Sequence, residues 1–215
     1  MSSTAKYYSP LEEKINVLSH AFGLLLSLIG LVLLIDHAAN FDGILPLFSF
    51  ALYGLSLVML YAASTFYHNT TEPQLRATLR IVDHAAICIV IAGTYTPLTL
   101  ITLNGPVGWA VFSASWSLAI VGVILSLFFT GRFKILATLI YVFMGWMIVF
   151  AIKPLMNSLD EIGLRWLIAG GLAYTFGAII YVVKAIKFNH AIFHIFVLLG
   201  SFCHFMTIYF YVRPL

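Results

Sequence analysis

Five polar residues near the ends of long apolar segments could together form a metal site. Ser64 and His68 are four positions apart, Asp83 follows in the next apolar segment, and His190 and His194 are again four apart. Two histidines at i and i+4 share one helical face, so both imidazoles can bind one ion. His68 would supply a third nitrogen. Three histidines with an open fourth position are typical of catalytic zinc, with a water completing the coordination.

The two remaining residues suit hydrolytic chemistry at such a site. Zinc lowers the pKa of a bound water to about 7. Asp83 could hydrogen-bond this water and act as general base, while Ser64 could orient His68 or donate to a developing oxyanion. Plainer interpretations stay open: the histidine pair could be interfacial, Ser64 could bond to its own helix backbone, and Asp83 could pair with Arg80 or cap a helix.

The composition predicts a membrane protein around these residues. Hydrophobic residues make up 62% of the 215 positions and charged residues only 9%, unlike a soluble domain. A membrane-crossing helix needs about 20 mostly apolar residues, and seven stretches qualify: 17–36, 44–68, 81–102, 107–129, 135–152, 164–185 and 190–211. We predict an all-α, seven-transmembrane-helix bundle, with residues 1–215 forming a single domain. The loops leave no room for a separate soluble enzyme, and the net charge of +3 requires no nucleic-acid partner.

The basic residues predict the orientation, because short loops rich in Lys and Arg stay in the cytoplasm. Of the 11 basic residues, eight lie on the side of the N-terminus and three on the other side. We therefore predict a cytoplasmic N-terminus and a C-terminus outside. The eight are Lys6, Lys14, Arg76, Arg80, Arg132, Lys134, Lys184 and Lys187, and the three are Lys153, Arg165 and Arg213.

This orientation places four of the five polar residues in one layer, although the charge count did not use them. His68 ends the second helix, Asp83 falls in the first turn of the third, and the His190–His194 pair begins the seventh, all on the cytoplasmic side. Ser64 lies one turn deeper. Because four residues from three helices converge, the metal site is favoured over the separate interpretations.

Other polar residues receive separate predictions. Glu13, Asn16 and His20 form one polar stripe entering the first helix; capping and headgroup contact is the default role, and support of the metal site or of its mouth is the alternative. His204 lies roughly 21 Å further along the seventh helix than His190 at 1.5 Å per residue, so it cannot bind the same ion. We expect His37 in an outer loop, solvated.

Several motifs resemble one known family over essentially the whole chain. The motifs are EEKINVLSH (residues 12–20), YAASTFYH (61–68), DHAAICIVIAGTYTP (83–97) and HAIFHIFVLLGSFCHF (190–205), similar to the bacterial haemolysin-III branch of the progestin and adipoQ receptor family. The resemblance implies seven helices, a cytoplasmic N-terminus, a multi-pass location in a bacterial plasma (inner) membrane, and Zn²⁺ held by three histidines. It assigns His68, His190 and His194 as ligands, Asp83 as partner of the zinc-bound water, and Ser64 as a supporting group.

Two functions and a weaker third follow from this resemblance. Alkaline ceramidases share the same sparse Ser, His, Asp and His-x-x-x-His signature, so the first is a zinc-dependent hydrolase of lipid amide or ester bonds that serves lipid and fluidity homeostasis. The second is a non-enzymatic sensor of membrane state with a structural zinc, and the third is a haemolysin-like cytolysin. The short loops argue against a hormone receptor. We expect membrane lipid as substrate or ligand and no obligate protein partner.

Overall fold

The computed structural model describes residues 6–130 and 133–213, with the side chain of Lys134 left out, so the predicted loop charge at Arg132 lies outside the described residues. These residues form helices and no strand. Two short irregular turns interrupt them: the π-helical turn Leu98–Leu103 after α3 and the 3-10 turn Met147–Ala151 between α5 and α6. The helices are α1 (Pro10–Ala38), α2 (Ile44–Asn69), α3 (Pro73–Pro97), α4 (Gly105–Phe129), α5 (Lys134–Trp146), α6 (Ile152–Ser158), α7 (Glu161–Val182) and α8 (Asn189–Tyr211).

Among the described residues, seven segments are long and apolar enough to cross a membrane, which confirms the predicted all-α, seven-helix fold class. The fifth combines most of α5 with α6, and α8 is the seventh. Two helices, α1 and α3, begin seven and eight residues earlier than predicted (17 − 10 and 81 − 73). Each has a side-chain N-cap followed by a proline at the first helical position. Ser9 accepts a hydrogen bond from the Glu12 amide at 3.3 Å, and Glu72 caps α3 in the same way before Pro73.

The longer helices overturn two predictions. Asp83 lies ten residues beyond Pro73, inside α3 rather than in its first turn, so the capping alternative is wrong for it. His37 lies in the last turn of α1 rather than in an outer loop. Its ring packs against Phe50 and Tyr209, with centroids 5.5 and 4.9 Å away. Both errors arise because the spans were predicted from runs of apolar residues, and these helices extend beyond those runs into polar residues.

A close approach of α1 to α2 and α8 holds the end of the bundle where the candidate site lies. A Cβ at Gly23 would lie 2.5 Å from the ring of Tyr61 on α2 and 2.8 Å from Leu198 on α8, so only glycine fits without a shift. Small residues allow membrane helices to approach at this distance. Gly23 follows Asn16 and His20 on the buried stripe of α1, so the same contact presses those polar residues towards α2 and α8.

The irregular turns after α3 and α5 lie within two of the membrane-spanning segments, where freed backbone groups need partners. Tyr95 on α3 supplies two of them: its hydroxyl donates to the Gly145 carbonyl at 2.9 Å and accepts from the Ile148 amide at 2.9 Å. This side chain therefore ties α3 to the break between α5 and α6. The proline at position 97 ends α3 just before the π-helical turn.

Candidate metal centre

Three histidines from two helices meet at one point inside the bundle. Nε2 of His190 lies 3.0 Å from Nε2 of His68 and 3.2 Å from Nε2 of His194. All three rings are buried, with exposed fractions of 6%, 3% and 2% respectively. His68 comes from the last turn of α2, and the other two come from the first turns of α8. This group could hold a metal ion.

The contacts of the Nδ1 atoms of His68 and His194 suit rings that bind a metal through Nε2. A carboxylate only accepts, so His68 Nδ1, 2.7 Å from Glu13 Oε2, carries a proton. The Ser19 hydroxyl donates to the Asn16 carbonyl at 3.1 Å and can therefore accept from His194 Nδ1 at 3.4 Å. With single protons on Nδ1, His68 and His194 would both present unprotonated Nε2 atoms, and one proton on His190 could satisfy only one of them.

The spacing of the nitrogens also fits zinc. Ligand nitrogens about 2.0–2.1 Å from a tetrahedral zinc ion are about 3.3 Å from one another. The two Nε2 separations of 3.0 and 3.2 Å lie close to that value. The histidines therefore suit a tetrahedral ion that keeps one position for a further ligand.

An ion pair between a buried Arg76 and a half-buried Glu13 lies behind His68. Glu13 on α1 accepts from the guanidinium of Arg76 on α3 through Oε1, while its Oε2 faces His68. Arg76 is only 1% exposed. It also donates to four backbone carbonyls, those of Lys6, Tyr67, His68 and Thr70, at 2.8 to 3.2 Å. The guanidinium thus joins the end of α2, which carries His68, to α1, α3 and the N-terminal segment.

Two further rings enclose the cluster. Tyr8, in the segment before α1, stacks on His190 with centroids 4.5 Å apart and planes 8° apart. Burial raises the pKa of the Tyr8 phenol well above its usual range, so the hydroxyl that Lys6 Nζ contacts at 2.6 Å is neutral. His20 stacks on His194 at 3.5 Å. Within the described residues, neither ring nitrogen of His20 has a hydrogen-bond partner.

A cavity of about 410 Å³ begins at this cluster and extends into the bundle. Asp83 and Ser64, both buried, lie in its wall together with His190 and His194. Asp83 is not part of the three-nitrogen group; its Oδ2 lies 3.6 Å from Nδ1 of His84. Most of the wall is apolar and comes from α3, α4, α5, α7 and α8, including Ile87, Ile91, Leu125, Phe129, Leu136, Ile140, Phe193 and Val197.

The structure brings the five sequence-predicted residues together: Ser64 and Asp83 line the cavity that begins at the group of His68, His190 and His194. His204 also lies in the wall of this cavity. Glu13 contacts His68 and His20 stacks on His194, which fits the alternative predicted for them, support of the metal site, better than the default of capping and headgroup contact. Their spacing with Asn16 on one face of a membrane helix was the available signal. Tyr8 and Arg76 were missed as parts of the site, because a segment outside a helix and a basic residue near a loop carry no such periodicity.

The fold and the cluster define a class: a seven-helix membrane protein with a buried three-histidine group beside a mostly apolar cavity. A family model described as Haemolysin-III related matches residues 8–205. The chain belongs to the haemolysin-III family, and it is a multi-pass bacterial membrane protein.

Relatives of similar length support this membership. The chain is 44% identical over 203 residues to Hemolysin-3 of Bacillus cereus, covering 94% of this chain and 93% of the relative. It is 43% identical over 200 residues to the Hemolysin-3 homolog of Bacillus subtilis (strain 168), covering 93% and 94%. The human monocyte to macrophage differentiation factor is 28% identical over 209 residues, covering 94% and 84%. No solved structure matches the chain.

Proposed function

We propose that this protein is a zinc-dependent hydrolase of amide or ester bonds in membrane lipids, with a role in lipid and fluidity homeostasis. One observation carries the proposal: the histidine group lies at one end of a mostly apolar cavity that also contains a buried carboxylate and a buried hydroxyl. An apolar cavity with a few polar groups at one end suits a substrate with a hydrocarbon chain and a single reactive polar group.

The residues divide the chemistry between them. Zinc held by three histidines would supply a water with a pKa near 7 and would polarise a carbonyl. Asp83, outside the ligand group but in the same cavity, would accept the proton of that water and return it to the leaving group. Ser64 would donate to the carbonyl oxygen as negative charge develops on it. These three roles suffice for attack on an amide or ester.

The surroundings of the cluster favour a substrate that arrives through the cavity. Tyr8 covers His190 on the side of the N-terminal segment, and the network of Arg76 and Glu13 closes the region behind His68. The cavity leads away from these groups between helices that carry apolar side chains. An acyl chain lying in this space would bring its carbonyl towards the histidines.

The test compares Asp83→Asn with Asp42→Asn, the same change at an exposed position. Each protein is purified in lipid nanodiscs, its zinc is measured by mass spectrometry, and fatty-acid release is followed from an N-acyl sphingoid amide and from a phospholipid ester. We expect Asp83→Asn to keep its zinc and lose on the order of 10²–10⁴ in turnover, as for loss of a general base, with Asp42→Asn unchanged. Full turnover in Asp83→Asn would remove the hydrolase proposal.

A sensor function is the second candidate, favoured because the histidines come from both α2 and α8. A metal there would tie the two helices, and their arrangement could respond to lipid order. In this case zinc should raise thermal stability while neither lipid is cleaved by any variant. The relatives named hemolysin suggest a third outcome, which dye leakage from vesicles in the same preparations would detect.

A further inference from the structure

Within the proposed zinc site, we infer that Glu13 is a positioning residue: it fixes the protonation and the direction of the His68 ring, and Arg76 holds Glu13 in place. This inference rests on the proposed function for the presence of zinc, but it concerns affinity and ligand geometry rather than turnover. It gives the first helix, which carries none of the three histidines, a part in metal binding.

The contact between Glu13 and His68 is the shortest polar contact that either Nδ1 or Nε2 of this ring makes. Oε2 lies 2.7 Å from Nδ1, whereas Nδ2 of Asn16 lies 3.4 Å from the same nitrogen and Nε2 of His190 lies 3.0 Å from the other one. A hydrogen bond to a carboxylate is stronger than one to a neutral group. Glu13 therefore holds the proton on Nδ1 and leaves Nε2 free to bind the ion.

Several contacts hold the Glu13 side chain in place. Its second oxygen accepts from Arg76 and, at 3.0 Å, from the backbone amide of Tyr8. Arg76 donates to the carbonyl of His68 as well as to those of its neighbours. The carboxylate and the backbone of the histidine it orients are thus held by the same guanidinium, so the ring has little freedom to turn.

Burial makes a purely structural role a poor explanation. A buried ion pair is weak evidence for stability, because taking both charges out of water offsets much of their attraction. Carboxylates that accept from the distal nitrogen of a metal-binding histidine raise its basicity and set its orientation, and their loss weakens metal binding about 10- to 100-fold. Glu13 and Nδ1 of His68 have this geometry.

The experiment measures zinc affinity by chelator competition for wild type, Glu13→Gln and Glu12→Gln in detergent. Glu12 is the matched control, because it is the adjacent buried glutamate and its Oε1 has no hydrogen-bond partner in the described structure. We expect Glu13→Gln to bind zinc about 10- to 100-fold more weakly and to change the visible absorption of bound Co²⁺. The melting temperature of the metal-free protein should fall, because the buried Arg76 loses its charge partner. Glu12→Gln should match wild type in all three.

The outcomes distinguish this inference about Glu13 from the proposed zinc-dependent function. Wild-type protein that binds no zinc would overturn both. Wild-type affinity and an unaltered Co²⁺ spectrum in Glu13→Gln would overturn the inference alone and leave the zinc site standing. If Glu13→Gln does not fold, Glu13→Asp decides by the same readouts, since it keeps the charge beside Arg76 but withdraws it from His68.

Discussion

The phenol ring of Tyr8 lies parallel to the imidazole of His190, with centroids 4.5 Å apart, although 182 positions separate the two residues (190 − 8). The segment before α1 therefore covers one face of the candidate metal site. The Lys6 carbonyl, two positions before Tyr8, accepts from Arg76, and the backbone amide of Tyr8 donates to Glu13. The ion pair behind His68 therefore also holds the covering segment in place.

Removing this cover should speed metal exchange. In Tyr8→Ala we expect a hydrophilic chelator to remove zinc several-fold faster than from wild type, because water gains access to His190. The equilibrium affinity should change less, since no ligand is lost. Stopped-flow with a colorimetric chelator measures the rate.

Tyr7→Ala is the control for this prediction, because Tyr7 is the adjacent tyrosine and is 51% exposed. Its hydroxyl contacts the Thr71 carbonyl at 3.1 Å rather than a histidine. Equal release rates in Tyr8→Ala and wild type would show that the N-terminal segment does not limit access.

A methyl group at Gly23 should destabilise the bundle. The added carbon would lie 2.5 Å from the Tyr61 ring, so either this buried ring or α1 must shift. Overpacking of this kind costs about 1–3 kcal/mol. Unfolding in a denaturing detergent measures the free-energy change for Gly23→Ala.

Gly145→Ala adds the same group where nothing lies within 4 Å. The free energy of unfolding of this second variant should equal that of wild type or be slightly higher, because alanine favours helix by up to about 1 kcal/mol over glycine. If Gly23→Ala were as stable as Gly145→Ala, the close contact of α1 with α2 would not exist in the membrane.

The orientation of the chain can be tested by labelling. With Cys88 and Cys203 replaced by Ala, we expect an impermeant maleimide to label Leu215→Cys in intact cells and Ser3→Cys only after lysis, since the basic residues favour a cytoplasmic N-terminus. The reverse pattern would place the histidine group at the outer face.

One of the eight basic residues used to predict the orientation does not lie free in a loop. The described structure shows Arg76 buried and paired with Glu13.

The sequence by itself determined the seven helices and the candidate ligands. Helix crossing depends on local apolar length, and the spacing of His190 and His194 puts both on one face whatever surrounds them. Apolar length says little about where a helix ends, however, which is why α3 begins before the predicted span and Asp83 lies deeper in it than expected.

Only the tertiary structure decided what surrounds the histidines. Glu13 and His68 are 55 positions apart, and their 2.7 Å contact depends on how closely α1 packs against α2. The same packing buries His20 beside His194 and brings Tyr8 over His190. Local periodicity identifies the face of a helix that turns inward, but the partner of that face is set by contacts between distant parts of the chain.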